Sequence, residues 1–254
     1  MFKLNYKKLL TFLSAFVLTL TSIVETTFAA DDTFATKECD PVQVVIHASY
    51  GGGTDTTARM MSIRSRRYLN ADMQIVGKRG GSGAKAQNYT LTRPKDGCTL
   101  MALTESHLYT LARKKSNMKI GDLVGIARAM EEPTFIVVNS KNTELSTIEK
   151  LIERSKKKPI LTAIANIGGT EHIGMYTYSK AAGVPFKAVS FGSGAQSVQA
   201  LASGKVEASL LNPSEAAALI DAGKVKAILL LHDKELADYP DVPTSYSMGH
   251  EVKV

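Results

Sequence analysis

Val42-Gln43-Val44-Val45-Ile46-His47-Ala48-Ser49-Tyr50-Gly51-Gly52-Gly53-Thr54-Asp55 joins an apolar run, a glycine loop and the approach to a helix. Five residues dominated by β-branched side chains suit a strand buried on both faces. The glycines turn the chain, and a helix is expected from about Thr56 to Leu69. Downstream the alternation continues. Met73 to Val76 reads as a second strand, Gly80-Gly81-Ser82-Gly83 opens another helix, and Thr99 to Leu103 reads as a third strand. This βαβαβ order predicts a parallel sheet with right-handed crossovers.

The pattern starts again near residue 130. Strands are expected at Thr134 to Val138, Ile160 to Ala165, Phe186 to Val189, Val206 to Leu211 and Val225 to Leu231. Ser146-Thr147-Ile148-Glu149 reads as a capping box, with Ile148, Leu151 and Ile152 as the buried stripe of its helix. His172 to Ala182 reads as a helix closed by Gly183, and Ser214 as the cap of a short helix ending at Gly223. The fold class is therefore α/β, with two lobes, each a mostly parallel sheet flanked by helices. A length of 254 residues suits two units of ~100–130 residues each.

The first 29 residues read as a signal peptide. Lys3, Lys7 and Lys8 precede a mostly apolar stretch from Leu9 to Val24, and Thr27-Phe28-Ala29 fits a cleavage site before Ala30. The competing reading is an uncleaved anchor, since the stretch is only slightly shorter than a membrane span. The leader accounts for +2 of the formal +7, which leaves about +5 on the rest. That charge is scattered, and export adds to the case against a nucleic-acid partner. Cys39 and Cys98 precede strands expected to be parallel neighbours, so a bridge between them is geometrically feasible. Two unpaired thiols are the alternative.

In α/β sheets ligands sit beyond the carboxyl ends of the strands, on loops that enter helices. Four such loops carry the candidate ligand-binding residues. Loop one supplies Ser49, Tyr50, Gly51, Gly52, Thr54 and Asp55. Its glycines let the backbone approach a ligand, and the helix start beyond them favours an anion. Asp55 suits an N-cap better than a ligand contact. Loop two supplies Asn166, Gly168, Gly169, Thr170 and His172 in the second lobe. There Thr170 can cap the helix or donate to a carboxylate, and His172 is either structural or a contact. Loops three and four supply Ser193 and Asn212. Several helix starts facing one cleft suit a molecule with more than one carboxylate.

Enzyme readings find no support. There is no phosphate-binding G-x-x-x-x-G-K-[ST], no G-x-S-x-G nucleophile elbow, and no metal-ligand spacing among His47, His107, His172, His232 and His250. No catalytic residue, metal or cofactor is expected.

Five segments in order resemble the periplasmic solute-binding proteins of tripartite tricarboxylate transporters, the TctC or Bug type. They are Gly51-Gly52 with Asp55, Ala58 and Arg59; Lys78 to Gly83; Pro94 to Leu100; Gly168 to His172; and Tyr239 to Thr244. The resemblance implies a Venus-flytrap fold in which backbone groups and bridging waters at loops one and two hold a ligand's carboxylates. It implies a monomer that delivers a di- or tricarboxylate, acidic amino acid or aromatic carboxylate to membrane permease subunits. A ligand-sensing receptor of the same fold, or an exported α/β hydrolase, are the alternatives. His47-Ala48, Gly77-Lys78 and Ser190-Phe191 depart from the family pattern of Pro-Phe, Glu-Asn and Pro-Tyr. Residues 30–130 are expected as lobe 1 and 131–232 as lobe 2. Residues 233–254 are expected to return towards lobe 1, truncated where the family continues.

Overall fold

The computed structural model describes residues 39–254, so the expected signal peptide and cleavage site lie outside the described residues. β1 (Val42–Ile46) is the central strand of a three-stranded parallel sheet, flanked by β2 (Met73–Gly77) and β3 (Thr99–Met101). Val44 pairs with Ile75 on one side and Leu100 on the other. The expected first helix is two helices. α1 (Gly53–Ser62) begins three residues earlier than read, and Arg64, at φ 68°, breaks the chain before α2 (Ser65–Leu69). α3 (Ala84–Leu91) crosses to β3, and α4 (Glu105–Ala112) follows it.

The second sheet has the order β6-β5-β7-β4-β8. Its strands are β4 (Thr134–Asn139), β5 (Ile160–Ile164), β6 (Phe186–Ser190), β7 (Ala208–Leu211) and β8 (Val225–Leu231). α5 (Ile148–Ser155), α6 (Thr170–Ala182), α7 (Gly194–Ala202) and α8 (Pro213–Asp221) connect them. β5 is parallel to β6 and β7, but β4 runs antiparallel to β7 and β8. A β-branched run signals burial without signalling direction, so the reversal was not legible. The two-residue period of a strand shares β4 between two cores. Phe135 and Val137 join Leu201, Leu211 and Leu230 on one face, while Ile136 and Val138 join Ile148, Leu151, Tyr178 and Leu229 on the other. No helix among the described residues is long and apolar enough to cross a membrane.

Residues 233–254 correct an expectation. They pack on the second sheet instead of returning to the first. Ser245 N–H donates to Leu230 O at 2.8 Å, and Tyr239 stands edge-on to Phe135. At the chain end Thr134 N–H donates to Val254 O and Val254 N–H to Leu231 O, both at 3.0 Å. Val252 and Val254 find apolar partners there, in the cluster around Ile136 and Tyr178. That burial is what the second sheet offers this segment.

Three helix caps also move. Thr147, not Ser146, caps α5 by accepting Lys150 N–H. Asn212, not Ser214, caps α8 in a box with Glu215. Gly52, not Asp55, is the N-cap of α1. In each case the cap lies where the chain turns into the helix, and the other capable side chain, one residue before the cap in α5 and two or three after it in α8 and α1, takes another task.

Cys39 and Cys98 are bridged, with Cα atoms 5.0 Å apart, at the start of β1 and β3. The bridge packs with Val42, Ala71 and Leu100 in a small core under the first sheet. Closing a loop of this length removes about 4 kcal/mol of unfolded-state entropy. Replacing both cysteines with serine is therefore expected to lower stability in urea by about 2–4 kcal/mol. An unchanged unfolding midpoint would show that the small sheet does not depend on the bridge.

Candidate functional site

The carboxyl ends of β1 and β5 lead into helices whose first turns meet the opposite lobe at different places, α1 against the starts of α7 and α8, and α6 against the start of α4. In loop one, Gly51 adopts φ +80° and donates its N–H to Asp55 Oδ2 at 2.8 Å. Both Asp55 oxygens also accept from Arg59 Nε at 3.0 Å. Burial works against the Asp55 charge, but Arg59 and the Gly51 N–H outweigh it and hold the carboxyl below its usual range. Asp55 is thus an internal brace of the loop, its carboxylate engaged within lobe 1.

Tyr50 is exposed but turned back on its own lobe. Its hydroxyl accepts Gly77 N–H at 3.0 Å, and a Cβ at residue 77 would lie 3.0 Å from it. Gly77, one of the departures from the family pattern, is what admits this tyrosine. Ser49 is buried, accepts from Arg79 Nη1 at 3.2 Å and donates to Gly192 O in the second lobe at 3.4 Å. A Cβ on Gly52 would stand 3.4 Å from Ser193 Cβ. Thr54 lies in the first turn of α1. Gly53 N–H crosses the gap to Glu215 Oε1 at 3.3 Å.

Loop two meets the first lobe at a different helix. Gly169 is the N-cap of α6, so Thr170 is its first residue and not its cap. Thr170 N–H donates to Ser106 Oγ at 2.9 Å, and the two hydroxyls are 3.0 Å apart. Ser106 is buried in the first turn of α4. Asn166 contributes its carbonyl, which accepts Gly169 N–H at 3.0 Å. Gly168, at φ +73°, has no room for a Cβ beside the Arg113 guanidinium, and its N–H donates to His172 Nδ1 at 2.9 Å. Burial and the Arg113 charge both lower the His172 pKa. His172 also lines a cavity of about 120 Å³ with Met175, Tyr176, Ser179, Phe186 and Ala188.

In loop three Ser193 caps α7 by accepting Gln196 N–H at 3.3 Å. In loop four the Asn212 amide donates to Glu132 O and Pro133 O, which ties the crossover between the sheets. The structure therefore gathers Ser49, Gly52, Gly53, Gly192, Ser193, Gly169 and Thr170 at the gap. Tyr50, Asp55, His172 and Asn212 are engaged within their own lobes or with the crossover.

Arg79, Ser106, Arg113, Glu171 and Glu215 are not marked as site residues by the sequence, whereas Ser82 lies in the glycine turn 80–83, a further candidate loop or a tight turn needed for packing. Several have partners far along the chain: Arg79 donates to Ser49, Thr170 N–H donates to Ser106, Gly53 N–H donates to Glu215, and Ser82 Oγ donates to Ile167 O across the gap. The Glu171 Oε2 atom is sealed from solvent without a hydrogen-bond partner, although the residue is partly exposed. Burial first, and Glu215 beside it, push the Glu171 pKa up to about 7. Burial raises the Glu215 pKa also. Among the described residues no three His, Cys, Asp or Glu side chains cluster as a metal site.

A raised carboxyl pKa stabilises the folded state fully below the unfolded value and ceases to do so as pH rises through the folded one. The Glu171 contribution is thus lost between pH about 4.5 and about 7. Glu171→Gln is expected to match the parent in urea at pH 4 and to exceed it at pH 8, by on the order of 1–3 kcal/mol. A stability difference that does not vary with pH would contradict this environment for Glu171.

The family model described as the tripartite tricarboxylate transporter family receptor matches residues 58–254. Protein BugT of Bordetella pertussis is 24% identical over 218 residues, 83% of this chain and 66% of that protein. A UPF0065 protein from the gbd 5′ region of Cupriavidus necator is 25% identical over 82% of this chain and 64% of its own length. The chain thus spans about two thirds of these relatives. Among solved structures, MatC of Rhodopseudomonas palustris with bound malate superposes with a TM-score of 0.74 at 22% identity, covering 84% of this chain and 75% of MatC. A second R. palustris protein, with adipate, gives 0.71 at 22% identity over 84% of this chain and 74% of its own. At these identities the likeness establishes the two-lobed fold.

Proposed function

Since this chain belongs to the tripartite tricarboxylate transporter receptor family, a family of solute-binding receptors and not of enzymes, we propose that it captures a small carboxylate between its lobes outside the cytoplasm. It then delivers the solute to the membrane permease of such a transporter, acting as a monomer. The observation that carries this reading is that helix starts of the two lobes meet along the gap, α1 of the first with α7 and α8 of the second, and α4 of the first with α6 of the second. First-turn N–H groups that no intrahelical carbonyl accepts, together with the positive dipole end, make each start attractive to an anion. A carboxylate bridging them would exchange hydrogen bonds with both lobes at once and reward closure.

Gly51, Gly52 and Gly53 on one side, and Gly168, Gly169 and Thr170 on the other, are the proposed ligand contacts, with Ser49 and Ser193 beside them. The malate and adipate bound to the two fold relatives support a carboxylate as the solute class. A di- or tricarboxylate, an acidic amino acid and an aromatic carboxylate all fit the donor set. The signal-peptide pattern of residues 1–29 supports a periplasmic location.

A panel of these acids is expected to contain one that raises the melting temperature. At a hundredfold excess over Kd the gain is about 2.7 kcal/mol, roughly 5–10 °C for a chain of this size. Gly52→Val is expected to abolish that shift, because Gly52 has only 3.3–3.4 Å between its Cβ position and Ser49 O or Ser193. The absence of any shift with the folded parent protein, or an undiminished affinity in the valine variant, would contradict the assignment.

A further inference from the structure

Glu215 belongs to the second lobe, three residues beyond the N-cap of α8, yet its carboxylate reaches the first. Oε1 accepts Gly53 N–H from the first turn of α1 at 3.3 Å, across 162 residues of sequence. Oε2 accepts Asn212 N–H at 3.3 Å. The same side chain lies against Gly194, the first residue of α7, where a Cβ would collide with both carboxylate oxygens. A carboxylate of the protein itself therefore sits among three helix starts, two from its own lobe and one from the other. Neither Glu215 nor Glu171 belongs to an ion pair among the described residues. The Glu215 carboxylate accepts from backbone N–H groups, the donors that a solute carboxylate requires.

We propose that Glu215 is an affinity-determining residue that occupies a solute carboxylate's seat at the start of α1, so that an incoming acid must displace it. This rests on the reading of the gap as a carboxylate site. Glu215 has two tasks that separate cleanly. Its bond to Asn212 N–H completes the capping box of α8, a task glutamine performs as well. Its bond to Gly53 N–H holds the lobes together in the absence of solute, and there the negative charge strengthens the bond. A neutral side chain would cap the helix but compete poorly for the seat.

The test compares the parent with Glu215→Gln in two measurements on the whole protein. Small-angle scattering without added solute reads lobe separation, and titration calorimetry with malate, adipate, aspartate and benzoate reads affinity. The glutamine variant is expected to show a larger radius of gyration and to bind the accepted acid about tenfold more tightly, the worth of one charge-assisted hydrogen bond. Gly194→Ala evicts the carboxylate by crowding it and leaves its charge, and is expected to expand the ligand-free protein likewise. If the parent binds an acid and the glutamine variant binds it equally or more weakly, Glu215 is part of the site and not its competitor, and the proposal falls alone. Unchanged scattering in both variants also overturns it. If neither protein binds any of the four acids, the carboxylate reading falls and takes this proposal with it.

Discussion

A helix that begins at an interface brings N–H groups that its own hydrogen bonds cannot use. This chain places the starts of α1, α4, α6 and α7 along the gap between two sheets. Every such N–H must meet water, a side chain or a ligand. Much of the local geometry follows from that requirement. Asp55 serves Gly51, Ser106 serves Thr170, Ser193 serves Gln196, and Glu215 serves Gly53 and Asn212.

The energetic scale of these contacts suits a receptor. Each sheet has its own apolar core, and the larger ones lie on the two faces of the second sheet. Bonds across the gap are few and polar: Ser49 to Gly192, Gly53 to Glu215, Ser82 to Ile167, and Ser106 to Thr170. A hydrogen bond adds about 1 kcal/mol net, so a handful can be exchanged for a ligand's without endangering either core. The disulfide at the base of the first sheet acts within one lobe and leaves closure free.

Much of the fold was legible. Val42 to Ile46 and Val225 to Leu231 are apolar runs too short for helices, and both are strands within a residue of the expected bounds. Gly183 ends α6 at φ +67°, as a glycine after a helix should. Helix starts were read less well, because Asp55, Thr170 and Ser214 could each cap and the chain turns at Gly52, Gly169 and Asn212 instead. Strand direction was hidden for β4. The residues that matter most across the gap were invisible in the sequence, since Glu215 meets Gly53, and Ser106 meets Thr170, only after both lobes have folded. No local pattern distinguishes Glu215 from an ordinary capping-box glutamate.

In the proposed site one solute is held by both lobes through their helix starts. Amide chemical shifts recorded during titration with the bound acid test it most directly. Gly52, Gly53 and Thr54 in the first lobe, and Gly169, Thr170 and Glu171 in the second, are expected to shift together along one binding curve. Shifts confined to one lobe, or centred on the cavity beside His172 and Tyr176, would contradict it.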